Sequence, residues 1–359
     1  MNRNLLRKHI TSFMDKLNKG TLKQEYSLDN RKERTAYYQS WTKERLLTMT
    51  EDDFYEYMAK LWAMLVWGNK RYYTDKVIKD NGFDHLKKQL AEFVWGDNKI
   101  ESRWDTFRKK VKGLGPAMMS EILCNSHPDK HIIWNRRAYV ALNHLGAEGL
   151  PRYDYQLNGK MYSHLTSICK SVGDEMVKAG LEGVDFLLVD NLIWEELQVE
   201  NKLSEIHKAG EKPVEVSPPD TSDFKHNDIR DKLADIGQWL GFMTYTEKKV
   251  AEGSKVDTIW EATIGNMGRI IYVFEVQTKG SIDSLVLNLL KSLNNPAVQG
   301  VVAVSDSGQL GTIERHASGI GNLAKKLRYW DYEEVLQIHE SLQRVNETIN
   351  KLGLVPQGF

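Results

Sequence analysis

Residues 270–280 read IIYVFEVQTKG, an apolar run that places an acid, an amide and an ammonium at every second position of its last part. Strict alternation divides it into two faces, with Ile271, Val273, Glu275, Gln277 and Lys279 on one and Ile270, Tyr272, Phe274, Val276 and Thr278 on the other. The first face starts apolar, so it enters a core before it turns polar. A carboxylate there needs a compensating partner, because burying it alone is costly. The candidates are a basic side chain, a metal ion or solvent at an open strand end.

Working outward, VDTIWEATI at 256–264 reads as a preceding strand with Asp257 and Glu261 on one face, and GNMG at 265–268 reads as the connection between the two strands. Parity then decides the pairing. A three-residue loop sets Asp257 opposite Glu275 or Gln277, whereas a two-residue loop sets it opposite Val276 on the wrong face, unless a bulge intervenes. Two carboxylates converging with a glutamine and a lysine make a hard-oxygen site suited to Mg²⁺ or Mn²⁺. Helical spacing in HNDIRDKLADIGQWLGF and SLVLNLLKSL, and a further strand in VQGVVAVSD, complete a helix-strand-strand-helix-strand order.

That order, over residues 224–310, resembles the PD-(D/E)xK, or restriction-endonuclease-like, nuclease superfamily. The resemblance implies a mixed α/β sheet, a metal held by Asp257 and Glu275, and a water-positioning side chain two residues beyond the glutamate. Gln277 stands where that family usually has lysine. Glutamine orients water but supplies no positive charge, so Lys279 or a second metal must supply it. The structural alternative is that Glu275 pairs with Lys279 or Lys255 at a sheet end.

Upstream, HKAGEKPVEVSPPDTSDFKHND lacks either periodicity and contains a Pro-Pro pair. It divides the chain into an α-helical domain over 1–209, a linker over 210–222 and an α/β domain over 223–359. The two parts differ in charge: the balance is +9 over residues 1–160, −7 over 161–220 and −2 over 221–359. Basic clusters interleaved with Trp and Tyr mark the first part as a nucleic-acid-binding candidate, with solvated helix faces as the alternative.

The informative stretch of the first part is VKGLGPAMMSEILCNSHPDKHIIWNRRAYVALNHLG, residues 111–146. Gly113, Leu114 and Gly115 read as a tight hairpin, and Pro116 as the first residue of a helix. Amides at such a terminus suit a DNA phosphate. Residues 105–146 resemble the helix-hairpin-helix core of base-excision DNA glycosylases. The position of that family's catalytic aspartate is Asn135, and the position of the lyase-type lysine is Ala117. An amide cannot serve as the carboxylate, so the resemblance implies a DNA-binding fold rather than a glycosylase. Lys112, Gly113, Gly115, Arg136 and Arg137 are the expected contacts to double-stranded DNA. Cys124, His127 and His131 are spaced somewhat like zinc ligands but have no second cluster, so Cys124 reads as a structural thiol.

Two cysteines build no disulfide framework, and no apolar run approaches a membrane span. A cytoplasmic protein is expected. The expected function is that of a Mg²⁺-dependent DNA endonuclease in restriction or phage defence, acting with a second copy or a partner restriction subunit. The alternative is a non-catalytic DNA-binding subunit with a degenerate nuclease fold.

Overall fold

The computed structural model describes residues 1–22, 28–67, 70–197, 222–263 and 268–352. The chain divides into two compact units, one within residues 1–219 and the other spanning Asp220–Leu354. Of the expected linker over 210–222, all but Ser222 lies outside the described residues.

The first unit is helical: α1 (Arg3–Lys19), α2 (Leu28–Gln39), α3 (Lys43–Thr48), α4 (Glu51–Ala59), α5 (Lys70–Asn81), α6 (Phe83–Trp95), α7 (Ile100–Lys110), α8 (Pro116–Ser126), α9 (Arg136–His144), α10 (Gly159–Lys178) and α11 (Phe186–Glu196). Local chemistry sets several of these ends. The Asn2 side chain accepts from Leu5 N to start α1, and Thr50 with Asp53 forms a capping box on α4. Pro116 occupies the first turn of α8, where its missing N–H forfeits nothing. The core is aromatic: Trp104 stacks on Tyr162 at 4.1 Å between centroids, and Phe93 on Phe107 at 4.4 Å, with all four side chains buried.

The second unit contains a five-stranded sheet of β1 (Met243–Ala251), β2 (Ser254–Thr263), β3 (Arg269–Val276), β4 (Val298–Ser305) and β5 (Leu327–Asp331). Strand order follows sequence order, antiparallel from β1 to β3 and parallel from β3 to β5. Helix α12 (Ser222–Trp239) precedes the sheet, α13 (Ile282–Ser292) joins β3 to β4, α14 (Ser307–Ala317) and α15 (Gly321–Lys326) join β4 to β5, and α16 (Tyr332–Lys351) follows. This is a mixed α/β layout in which each sheet face carries its own core. Ile271 and Val273 pack with Leu285 and Leu289 of α13, whereas Phe274 and Val276 pack with Ile229 and Leu233 of α12 and Val335 of α16.

Two expectations about the strands are corrected. Two strands that alternation does not give, β1 and β5, pair with β2 and β4 at the two edges of the sheet. And β3 ends at Val276 rather than running on to Lys279, because a bend over residues 278–280 follows, with Gly280 at φ +108°. No described helix is long and apolar enough to cross a membrane.

Helix α12 is fixed to the sheet by two side chains of β2: Thr258 Oγ1 donates to Arg230 O at 2.9 Å and Trp260 Nε1 to Leu233 O at 2.8 Å. Gly237 permits this approach, since a Cβ there would run into the Trp260 indole and the Thr244 side chain. Gly237→Ala should therefore lift α12 from β2 by overpacking, which costs about 1–3 kcal/mol. Hydrogen exchange should read this as faster exchange over residues 224–276, with residues 1–197 unchanged.

Candidate active site

The ladder between β2 and β3 pairs Thr258 with Phe274, Ile259 with Val273, and so on to Thr263 with Arg269. Continued one step, the register sets Asp257 directly across from Glu275. The connection spans residues 264–268, an odd number, so its parity is the one that aligns the two acids. Their contacts are reciprocal. Asp257 N donates to Glu275 Oε2 at 3.2 Å, and Val276 N donates to Asp257 Oδ2 at 2.8 Å. Each carboxylate thus satisfies an amide of the opposite strand where the regular ladder stops.

Neighbouring helices complete the pair's surroundings. Asn288 of α13 donates from Nδ2 to Glu275 Oε1 at 2.8 Å, and His226 of α12 sets Nε2 3.3 Å from Asp257 Oδ2. Glu275 is only 8% exposed. Burial, then the charge of Asp257, pushes its carboxyl up to about 7, against the opposing bonds from Asn288 and the Asp257 amide. His226 is raised as well, chiefly by its bond to Asp257 and against partial burial. Glu275 and His226 thus both hold their protons to higher pH than they would in water.

The two polar residues that follow are arranged differently from the alternation reading. Gln277 is buried, with its amide N bonded to Val304 O and its carbonyl accepting from Ser305 Oγ. Its side-chain Nε2 turns to the Lys279 carbonyl at 3.1 Å. Lys279 is exposed and lies past the bend, so strand alternation does not set it beside Glu275. Glu261 is not part of the site: it lies further along β2 and pairs with Lys248 and Arg269.

His226 was absent from the sequence reading. The available signal was its position near the start of an amphipathic helix leading into the strand with Asp257; nothing in helix periodicity aims it there. Glu247 is also unforeseen. The β1–β2 register sets it across from Asp257, yet it takes a left-handed φ of +51°, and its Oε1 accepts from Arg230 Nη1 at 2.6 Å. Such a backbone costs about 1–3 kcal/mol in a non-glycine residue and is retained where surroundings impose it.

In the first unit the expected contacts are less uniform. Gly113 has φ +82°, its carbonyl accepts from the Tyr73 hydroxyl, and Lys112 exchanges two backbone bonds with the Asn81 side chain. Leu114 is buried, and Gly115 is exposed ahead of α8. Asn135 caps α9, its Oδ1 accepting from Arg137 N and Ala138 N at 2.9 and 3.1 Å. Arg136 is half-buried. The Arg137 guanidinium lies over the Trp194 ring, 3.2 Å from the centroid. Cys124 is fully buried in an apolar cluster with Ile133 and Leu187, as a structural thiol is, and burial, then Arg103, depresses His131 to about 3. Nearby, α2 carries Arg31, paired with Asp190 at 2.5 Å, and Arg34, 3.4 Å from the buried Glu121. That buried cluster ties α2 to α8 and α11.

No protein-family model and no curated protein matches this chain.

The shift at Glu275 has a defined consequence for stability. A folded carboxyl at about 7, against an ordinary 4.5, binds a proton the unfolded chain releases. Stability from this group is full below pH 4.5 and is lost as pH rises through 7; His226, raised from 6.5, changes in the same direction. The unfolding free energy read from urea titration of metal-free protein should fall from pH 5 to pH 8 by an amount on the order of 3 kcal/mol. Glu275→Gln should remove most of that slope.

Proposed function

We propose that the protein is a metal-dependent DNA endonuclease, with a restriction-endonuclease-like second unit and a helix-hairpin-helix first unit that grips duplex DNA. The observation that carries this reading is the Asp257–Glu275 pair, aligned across β2 and β3 and embraced by His226 and Asn288. Hydrolysis of foreign or modified DNA in restriction or phage defence is the role that suits this pairing of units.

The donor set fits Mg²⁺ or Mn²⁺. Both side chains are carboxylates, no described residue hydrogen-bonds Asp257 Oδ1, and each Glu275 oxygen carries one bond and keeps a lone pair. Two carboxylates this close share excess negative charge, as the raised Glu275 indicates, and a divalent cation relieves it. Asp257 and Glu275 would hold the ion, which supplies water activation and charge neutralisation for phosphodiester hydrolysis. The chain's own residues do the rest. His226 orients Asp257, Asn288 and the Asp257 amide orient Glu275, and Gln277 offers a carboxamide two residues beyond it. Lys279, on an exposed bend, is the candidate cation for the phosphate.

One observation favours the alternative of a non-catalytic DNA-binding subunit: the Gln277 amide is folded back on the Lys279 carbonyl instead of facing the acids. Assay of purified protein with Mg²⁺ or Mn²⁺ on plasmid, phage and modified DNA separates the readings. Asp257→Ala or Glu275→Ala should abolish cleavage while DNA affinity changes little. His226→Ala should leave cleavage measurable but raise the half-saturating Mg²⁺ concentration about 10-fold or more, the usual effect of removing a residue that orients a ligand. Gln277→Ala and Lys279→Ala, tested singly, should identify the group that contributes roughly 100- to 1000-fold in rate. A wild type that binds DNA and cuts nothing with either metal supports the docking subunit.

DNA binding itself should be electrostatic. Affinity should fall with salt with a log–log slope of about −0.9 per neutralised phosphate. Lys112→Ala and Arg136→Ala should each make that slope shallower by about one contact, whereas Arg137→Ala should act through lost packing on Trp194 and lower thermal stability instead.

A further inference from the structure

On the sheet face that packs against α12 and α16, side chains of β2 to β5 line an aromatic pocket of about 470 Å³. That lies within the range of about 300–1,000 Å³ usual for ligand sites. Its floor is Trp260, Tyr272 and Phe274, with the Trp260 and Phe274 rings 4.4 Å apart between centroids. Phe242, just ahead of β1, stacks on Trp260 at 5.4 Å, and Trp330 of β5 stands at 87° to the same indole at 6.4 Å. Gly300 of β4, paired with Tyr272 where the β3–β4 register shifts, adds no side chain to this face. A glycine inside a strand gives up packing, and one use of it is to admit a close approach. Arg328, exposed on β5, completes the lining. Its Nη1 donates to the carbonyls of Leu327 and Lys325 at 2.9 and 3.2 Å, and no described acid pairs with it.

We propose that this pocket takes an unpaired base of a single DNA strand, with Arg328 meeting the adjoining phosphate. Flat aromatic faces below and at two sides suit a planar heterocycle, and stacking tolerates any base. Edges are provided for as well: no described residue hydrogen-bonds the Tyr272 hydroxyl or the Trp330 Nε1. A cage for a methylated ammonium is the other use of such rings, but charge speaks against it. The lining contains one cation, Arg328, and no carboxylate, so it attracts an anion and repels a cation. A free nucleoside polyphosphate is a poorer match than a strand. Every lining residue except Phe242 belongs to a β-strand, so neither a glycine-rich loop nor a helix N-terminus is there to cradle several phosphates. A strand instead brings a single phosphate per base to a single guanidinium.

The pocket is separate from the acid pair. Ile271 and Val273, which alternate with the floor residues of β3, pack on α13, the helix whose Asn288 bonds Glu275. The base therefore sits on the opposite face of the sheet, and the proposal stands independently of nuclease activity because its test reads binding and not cleavage.

Fluorescence anisotropy on the full chain with a labelled oligothymidylate of about ten nucleotides, in EDTA so that nothing is cut, gives that test. The wild type should bind it, and should bind an abasic strand of the same length about 10-fold more weakly or worse, the usual worth of one stacked base. Trp330→Ala should lose a similar factor, whereas Trp330→Phe, which keeps a stacking face, should retain most of the affinity. Arg328→Gln, at an exposed site, should leave circular dichroism and thermal unfolding unchanged and make the salt dependence shallower by about one contact. Affinity for duplex DNA should be the same in all of these variants. With 5-iodouracil in the strand, ultraviolet cross-linking should attach it to the peptides that carry Tyr272 or Trp330. Failure of the wild type to bind the oligothymidylate overturns the proposal, as does an abasic strand that binds equally well or a cross-link confined to residues 1–197. Thymidine monophosphate that competes at the strand's own concentration overturns the assignment to a strand.

Discussion

The exchange of amides and carboxylates at the ends of β2 and β3 is the interaction on which the second unit's chemistry depends. Where the regular ladder stops at Thr258 and Phe274, the next amides would otherwise need water or a neighbouring carbonyl. Instead Asp257 takes the amide of Val276 and Glu275 takes that of Asp257. The two side chains therefore cannot drift apart without orphaning backbone donors. The strand end and the acidic pair are one structure, so the position of the carboxylates is set to the precision of a β-ladder rather than that of a loop.

That arrangement has an electrostatic cost that shapes everything packed around it. A glutamate 8% exposed beside a second acid is held above its ordinary range, and each nearby element contributes a donor that moderates the conflict. Asn288 comes from the crossover helix, and His226 from the helix before the sheet. Arg230, on the same helix as His226, is committed to Glu247 and Asp231. Helix α12 is in turn held down by Thr258 and Trp260, which alternate with Asp257 and Ile259 along β2. One strand thus supplies an acid of the site and also fixes the helix that orients it.

Much of this was legible in the sequence, and the failures have physical causes. Alternation over Ile270–Val276 reports a two-faced buried strand, and both faces carry cores. An odd connection was one of two parities the sequence allowed, and it is the one that aligns Asp257 with Glu275. Alternation ceased to inform beyond Val276, because Gly280 permits a bend that propensity alone does not locate. The contact of His226 with Asp257 was invisible because it depends on the angle of a helix against a sheet, set by long-range bonds. The packing of Arg137 is hidden for a related reason: guanidinium charge suggests solvent and phosphate, but its flat face also stacks on indole, and Trp194 lies more than fifty residues further along the chain.

The same logic distinguishes Asn135 from Glu275. Both are polar residues at the end of an element, where backbone amides lack partners. At Asn135 a neutral carboxamide oxygen satisfies two helix amides, with no charge left over to do chemistry. At Glu275 a carboxylate satisfies one strand amide and one side-chain amide, and still carries a negative charge that a neighbouring acid makes expensive. Capping therefore exhausts what Asn135 can contribute, whereas the ladder end leaves Glu275 in a state that a cation or a proton must relieve. This difference in residual charge, more than any motif, is why we propose the second unit as the place for chemistry.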